Sequence, residues 1–151
     1  MKYLKNEFYG LPDAKAGEKW RNVCRRYWKE FHRIKHKFPK AFVEEMLEGH
    51  GLHDSNIRLL SAECEKQHYN LRLLLEDGFD LNVFHSIILS EISSFRCETE
   101  FGVEWLYCEI LPQKKRRFSM EVFFSDGNTL YVEFEKLEYS REVSDPGRNE
   151  N

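Results

Sequence analysis

No stretch of this 151-residue chain approaches the ~20 consecutive apolar residues that a membrane-spanning helix requires. The opening Met1–Glu7 lacks the apolar centre of a secretory signal, so the expected compartment is the cytoplasm. Cysteine occurs only at positions 24, 64, 97 and 108, and no two form a C-x-x-C pair. Such spacing argues against a zinc site and for free, mostly buried thiols. The strings G-x-S-x-G, G-x-x-x-x-G-K and G-x-G-x-x-G are all absent. That removes the usual signs of a nucleophile elbow, a phosphate-cradling loop and a dinucleotide fold. There is no internal repeat and no low-complexity tract. No cofactor is implied, and the chain reads as a non-enzymatic protein.

What is plentiful is aromatic surface and charge. With 12 Phe, 7 Tyr and 3 Trp, and an apolar content of 41%, the chain can build the core of one domain. Its charge falls in two blocks. Residues 1–40 carry 12 Lys/Arg against 4 Asp/Glu, a net of +8. Residues 41–151 carry 11 against 22, a net of −11, which leaves −3 overall. Either the blocks neutralise each other or each faces an outside partner.

The break in charge coincides with a break in periodicity. Trp20, Cys24, Tyr27, Phe31, Ile34 and Phe38 recur at helical spacing, with Asp13 placed to cap the helix and Pro39 to stop it. Pro39 can open a second helix carrying Phe42, Val43, Met46 and Leu47, with Gly49 suited to end it. From Gly51 onward the period is two. Strands are expected over 56–65, 69–75, 83–95 and 103–111. The clearest hairpin joins 118–124 to 130–134 through Ser125-Asp126-Gly127-Asn128. These elements predict an α+β domain over residues 1–139. It has a helical part at 13–49 and a β-rich part at 52–139, with the helices on one face of a mostly antiparallel sheet of about five or six strands. Residues 140–151 read as a flexible polar tail.

Three sets of residues carry candidate chemistry. In the last hairpin, alternation sends Phe118, Met120, Val122, Phe124, Leu130, Val132 and Phe134 to the core. The opposite parity exposes Glu121, Phe123, Tyr131, Glu133 and Glu135, and Trp105, Tyr107 and Glu109 add a similar mixture. Aromatics beside carboxylates suit an interface with a basic protein. In the helix, Arg21, Arg25, Lys29, Arg33 and Lys37 form an unbroken i, i+4 row, with aromatics at Trp20, Tyr27, Trp28 and Phe31 between them. Such a row is either a solvated helix face or a surface for nucleic acid. The segment His50-Gly51-Leu52-His53-Asp54 gathers the groups of a metal ligand set or an oriented general base, without a visible third ligand. His32 and His36 share a helix face but lack the Glu of a zinc helix, and His68 and His85 are isolated. The run Lys114-Lys115-Arg116-Arg117 reads as a solvated loop tip.

Three segments also carry a family likeness: M-K-Y-L-K-N-E-F-Y at the start, L-H-D-S-N-I at 52–57 and L-Y-V-E-F-E-K-L at 130–137. In that order they resemble a family of small proteins of Bacillus-like bacteria known as a domain of unknown function. The resemblance implies a helical N-terminal region and a β-rich part that begins at the L-H-D segment, and no activity. More loosely, the H-D-x-x-I strand and the acidic V-x-F-E-x-L run resemble small immunity proteins of bacterial toxin systems, which bind and block a toxin. The resulting expectation is a cytoplasmic binding domain that meets a basic protein at its acidic face. Nucleic acid at the basic helix and a hydrolase or metalloenzyme at His50, His53 and Asp54 are the alternatives.

Overall fold

The computed structural model describes residues 1–5, 14–65, 68–99 and 102–144. The helical stripe folds as α1, Ala14–Ile34. Tyr27 and Phe31 are fully buried, while Trp20, Cys24 and Ile34 pack half-buried on the same core. Asp13, the expected cap, lies outside the described residues. A 3₁₀ turn, Lys35–Lys37, closes the helix, with the Phe38 N–H donating to the Lys35 carbonyl at 3.1 Å. Pro39 is the N-cap of α2, Lys40–Glu48, which buries Phe42 and Met46. Gly49 ends α2 in an extended conformation at φ −83°, not the left-handed one expected of a terminating glycine. The left-handed residues that turn the chain come just after it, at Gly51, Leu52 and Asp54.

Eight strands follow. They are β1 (Ser55–Glu65), β2 (His68–Glu76), β3 (Val83–Ser90), β4 (Ser94–Cys97), β5 (Glu104–Pro112), β6 (Phe118–Phe124), β7 (Thr129–Phe134) and β8 (Lys136–Val143). They form one antiparallel sheet in the order β4-β7-β6-β5-β1-β2-β3-β8. The fold is α+β, and the expected five or six strands are too few. Two features account for the difference. The run at 83–95 is broken at residues 91–93, where Ser90 faces Lys136 but Ser94 already faces Glu133. The extra residue is a β-bulge, and Glu91 takes φ +58° there. The chain after Phe134 continues as β8 along the whole of β3, up to Val143 opposite Val83, so residues 140–143 of the expected tail are strand. Residues 145–151 lie outside the described residues.

The strand order has a geometric consequence. Only Glu135 separates β7 from β8, and three residues separate β3 from β4, yet these pieces stand at opposite ends of the order. The ends are thus two halves of one bent ribbon, and the sheet wraps around its own core. Leu71, Leu73, Leu75, Ile87, Met120, Val122, Phe124, Leu130, Val132 and Phe134 all face inward with no exposure. Each such side chain contributes roughly 1.5–3 kcal/mol. The hairpin turn works as its residues predict: Gly127 takes φ +86°, and Asp126 accepts the Asn128 N–H at 2.9 Å.

The wrap is incomplete between β1 and β5, which pair only at Ser55–Trp105 and Asn56–Glu104. Beyond that point α1 meets the open edge of β5. The Ile110 N–H donates to the Tyr27 hydroxyl at 3.0 Å, and Trp20 packs on Tyr107 at 4.9 Å. Phe38 packs on Phe118 and Phe42 on Tyr139, at 4.9 and 5.5 Å. Among the described residues no helix is long and apolar enough to cross a membrane.

Candidate functional site

The acidic and aromatic face is built differently from its sequence pattern. The β5–β6 register shifts between Trp105 and Tyr107, where Trp105 faces Phe124 but Tyr107 faces Phe123. One extra residue, Leu106, therefore turns Trp105 toward the core, where it is fully buried against Phe124. Phe123 is also buried, stacked under Tyr107 at 6.5 Å. Glu109, only 1% exposed, lies beneath residues 1–5 and takes up their amides. It accepts the Lys2 N–H at 2.8 Å, the Tyr3 N–H at 2.6 Å and the Leu4 N–H. Opposite it on β6, Glu121 pairs with the Met1 amino group. Trp105, Glu109 and Phe123, expected on the surface, thus offer a partner no surface in this conformation. Nothing in M-K-Y-L announces this, because a segment that binds through its backbone leaves no side-chain pattern.

The rest of the face is partly engaged. The Tyr131 hydroxyl donates to Glu133 at 2.6 Å, and Ser93 Oγ donates to the same carboxylate at 3.2 Å. Burial and the Glu133 charge push the Tyr131 phenol up to about 12. Glu135 pairs with Arg117 at 2.8 Å.

The histidine segment forms a tight irregular turn. His53 Nδ1 lies 2.8 Å from Asp54 Oδ1, with both side chains 40% exposed, and its ring meets Tyr107 edge-on. His50 instead stacks on Phe79 at 4.1 Å. Both imidazoles border a pocket of about 190 Å³, whose other walls include Leu4, Trp20, Trp28 and the thiols of Cys24 and Cys108. Burial raises both thiols, and at Cys108 the neighbouring Glu109 and Glu121 carboxylates add to the effect. Gly78 fixes the turn from the other side, since a Cβ there would stand 2.3 Å from the Asp54 carbonyl oxygen. Among the described residues no group of three or more His, Cys, Asp or Glu is gathered to hold a metal ion.

A different histidine makes the best-defined polar chain, one that sequence reasoning did not assemble. His85 is fully buried, with Nε2 at 2.9 Å from Asp77 Oδ2 and Nδ1 at 2.7 Å from the Tyr139 hydroxyl. In a neutral ring facing an ionised Asp77, Nε2–H donates and Nδ1 accepts the Tyr139 O–H. Burial alone would raise Asp77. The His85 bond and the N–H groups of Phe79 and Asp80 outweigh it and hold the carboxyl below its ordinary range. Burial and Glu45 raise the Tyr139 phenol, so it remains a donor.

Two basic runs that are far apart in sequence meet in space. The 3₁₀ turn after α1 and the β5–β6 loop form opposite walls of a cleft of about 570 Å³. His36 and Lys37 line one side, Gln113, Arg116 and Arg117 the other, with Ile34, Pro112, Phe118 and the carboxylate of Glu135 completing the lining. Arg117 is structural: it donates to the Glu91 carbonyl at 2.7 Å and pairs with Glu135. His36, Lys37 and Arg116 have no acidic partner among the described residues. The loop holds Lys115 and Arg116 at φ +59° and +63°. Two consecutive non-glycine residues in that region cost roughly 1–2 kcal/mol each. The row leading to the cleft is likewise open, with Arg21, Arg25, Lys29, Arg33 and Lys37 all exposed. Among the described residues, only Arg33 of these pairs with an acid, Glu30 at 2.9 Å, and Arg25 reaches Asn22 at 3.3 Å. Of the aromatics of α1, Tyr27 and Phe31 face the core, and Trp20 and Trp28 pack half-buried against it.

Comparison with protein-family models, with curated proteins and with solved structures found no match.

Proposed function

We propose that this protein is a non-enzymatic binding domain that engages single-stranded nucleic acid through its phosphates. The contact surface is the outer row of α1 and the cleft at its C-terminal end. The observation that carries this reading is the uneven neutralisation of charge. Glu109 and Glu121 are taken up by residues 1–5, Glu135 by Arg117, Glu76 by Arg58 and Asp77 by His85. The cations of α1 receive almost none of that acid. Arg21 to Arg33 spans about 18 Å at ~1.5 Å per residue, enough to follow several phosphates. Tyr27 and Phe31 are buried and Trp20 and Trp28 pack half-buried on the core, so the reading is one of charge and not of sequence. A basic protein at the acidic face would find less to hold, since three of its expected contacts are buried and two carboxylates already have cations.

The test is fluorescence anisotropy of a mixed-sequence oligonucleotide across a salt series. Four phosphates neutralised on a single strand give a log–log slope of about −3. Replacing Arg21 and Lys29 by Ala should make it shallower by roughly 1.4. Absence of binding at low salt, or a slope unmoved by that double variant, would sink the reading.

A further inference from the structure

We propose that the cleft between the 3₁₀ turn Lys35–Lys37 and the β5–β6 loop is a subsite for a terminal phosphate monoester, the end group of a nucleic-acid strand. The proposal rests on the reading above for the approach along α1, and adds what the end of that track selects. Lys37 belongs to both the row and the cleft, so a strand lying on the row arrives with one end at the opening. An internal phosphodiester carries one negative charge. A terminal monoester carries about −1.5 to −2 near neutral pH and three acceptor oxygens. A flat cationic row treats the two nearly alike. A concave site with cations on opposing walls favours the more highly charged, multiply accepting group.

The donors fit that group. Glu135 also lines the cleft, but Arg117 neutralises its carboxylate at 2.8 Å, which leaves the other cations to the phosphate. Lys37 supplies a compact ammonium from one wall and Arg116 a planar guanidinium from the other, the side chain that grips phosphate oxygens in pairs. The left-handed backbone at Arg116 is unfavourable, and it persists in the loop that carries Arg116 into the cleft wall. The apolar floor of Ile34, Pro112 and Phe118 gives a terminal sugar and base a dry surface. The volume of about 570 Å³ admits one nucleotide unit and excludes a duplex.

The experiment compares one oligonucleotide bearing a 5′-phosphate, a 3′-phosphate or hydroxyls at both ends, at fixed salt. The native protein should prefer one phosphorylated end by about tenfold, the effect of one added charge-assisted contact. K37A/R116A, with its fold confirmed by circular dichroism, should lose that preference. The Arg21/Lys29 double variant should bind all three strands more weakly and keep it. Equal binding of phosphorylated and hydroxyl ends by the native protein overturns the subsite and leaves the wider reading standing. Should no strand bind, the wider reading fails, and a nucleoside 5′-monophosphate titration followed by amide NMR decides the cleft alone. Saturable shifts at Arg116 and Lys37, absent from K37A/R116A, support the subsite; their absence from the native protein overturns it.

Discussion

Replacing Glu109 by Gln should destabilise the fold by about 2–4 kcal/mol, although the side chains are nearly isosteric. The carboxylate accepts the Lys2 N–H on one oxygen and the Tyr3 and Leu4 N–H groups on the other, at a position only 1% exposed. A Gln keeps one oxygen, so at least one buried N–H is turned toward an amide donor and loses its acceptor. An unsatisfied buried group costs roughly 1–3 kcal/mol, and the surviving bonds fall from charge-assisted to neutral strength, about 1 kcal/mol each. Against this, Glu121 faces Glu109 across the β5–β6 pair, so removing one charge relieves some repulsion. The net shift corresponds to a Tm lower by roughly 5–15 °C for a chain of this size. Urea and thermal unfolding measure the stability. Amide hydrogen exchange at residues 2–4 measures the docking itself: slow in the native protein, fast in E109Q. A change below about 0.5 kcal/mol, within the range of ordinary surface substitutions, with those amides still protected, would refute the account.

Three further outcomes are expected. Asp77 has a native carboxyl below its ordinary range, so its stabilising effect is present above the unfolded value of ~3.9 and is lost as pH falls through the native one; Asp77→Asn should lower stability at pH 7 and flatten the acid limb of a stability–pH curve. Among the thiols, exposed Cys64 should react first with a chromogenic disulfide, while buried Cys108, its thiol raised by burial, should react only on unfolding; a fast phase that survives Cys64→Ser would contradict the assignment. Raising salt from low ionic strength should increase Tm by about 2–4 °C, as screening relieves roughly 1 kcal/mol of repulsion along α1; a fall in Tm would mean that attractive pairs dominate instead.

Much of the fold was legible because its signals are local. The stripe from Trp20 to Phe38 marks a helix that needs one buried face, and Phe118–Phe134 alternates because one side of that hairpin is core. What escaped was whatever depends on distant partners. β4 and β8 are edge strands at the two ends of the order, mostly exposed on both sides, so Ser94-Phe95-Arg96-Cys97 and Glu138-Tyr139-Ser140-Arg141 show no clean alternation. The bulge at Glu91 splits one expected strand into two and the extra residue at Leu106 turns Trp105 inward, and a parity count has no means of detecting either. Both walls of the cleft were visible as basic runs. Their meeting was not, because residues 35–37 and 113–117 are brought together by tertiary packing such as that of Phe38 on Phe118.

The opposed charge blocks left two outcomes open, and the fold takes neither in pure form. Had α1 lain along the acidic strands, its cations would have found carboxylates within a few ångströms and the row would be a structural device. Instead the buried Glu109 is met by backbone N–H groups, Glu121 by an amino group, and Glu76, Glu135 and Asp77 by Arg58, Arg117 and His85. Backbone amides answer a buried carboxylate without the desolvation that a second charged side chain would add. They also leave the cations of α1 unused. Three successive i, i+4 contacts between like charges, from Arg21 to Arg33, then work against the helix, by about 0.2–0.5 kcal/mol each. The two left-handed residues at the cleft add to that cost. Under the proposed nucleic-acid reading, a bound strand offsets these unfavourable terms. An anion bound there would relieve the row, so phosphate should raise Tm more than chloride at matched ionic strength, and K37A/R116A should abolish the difference.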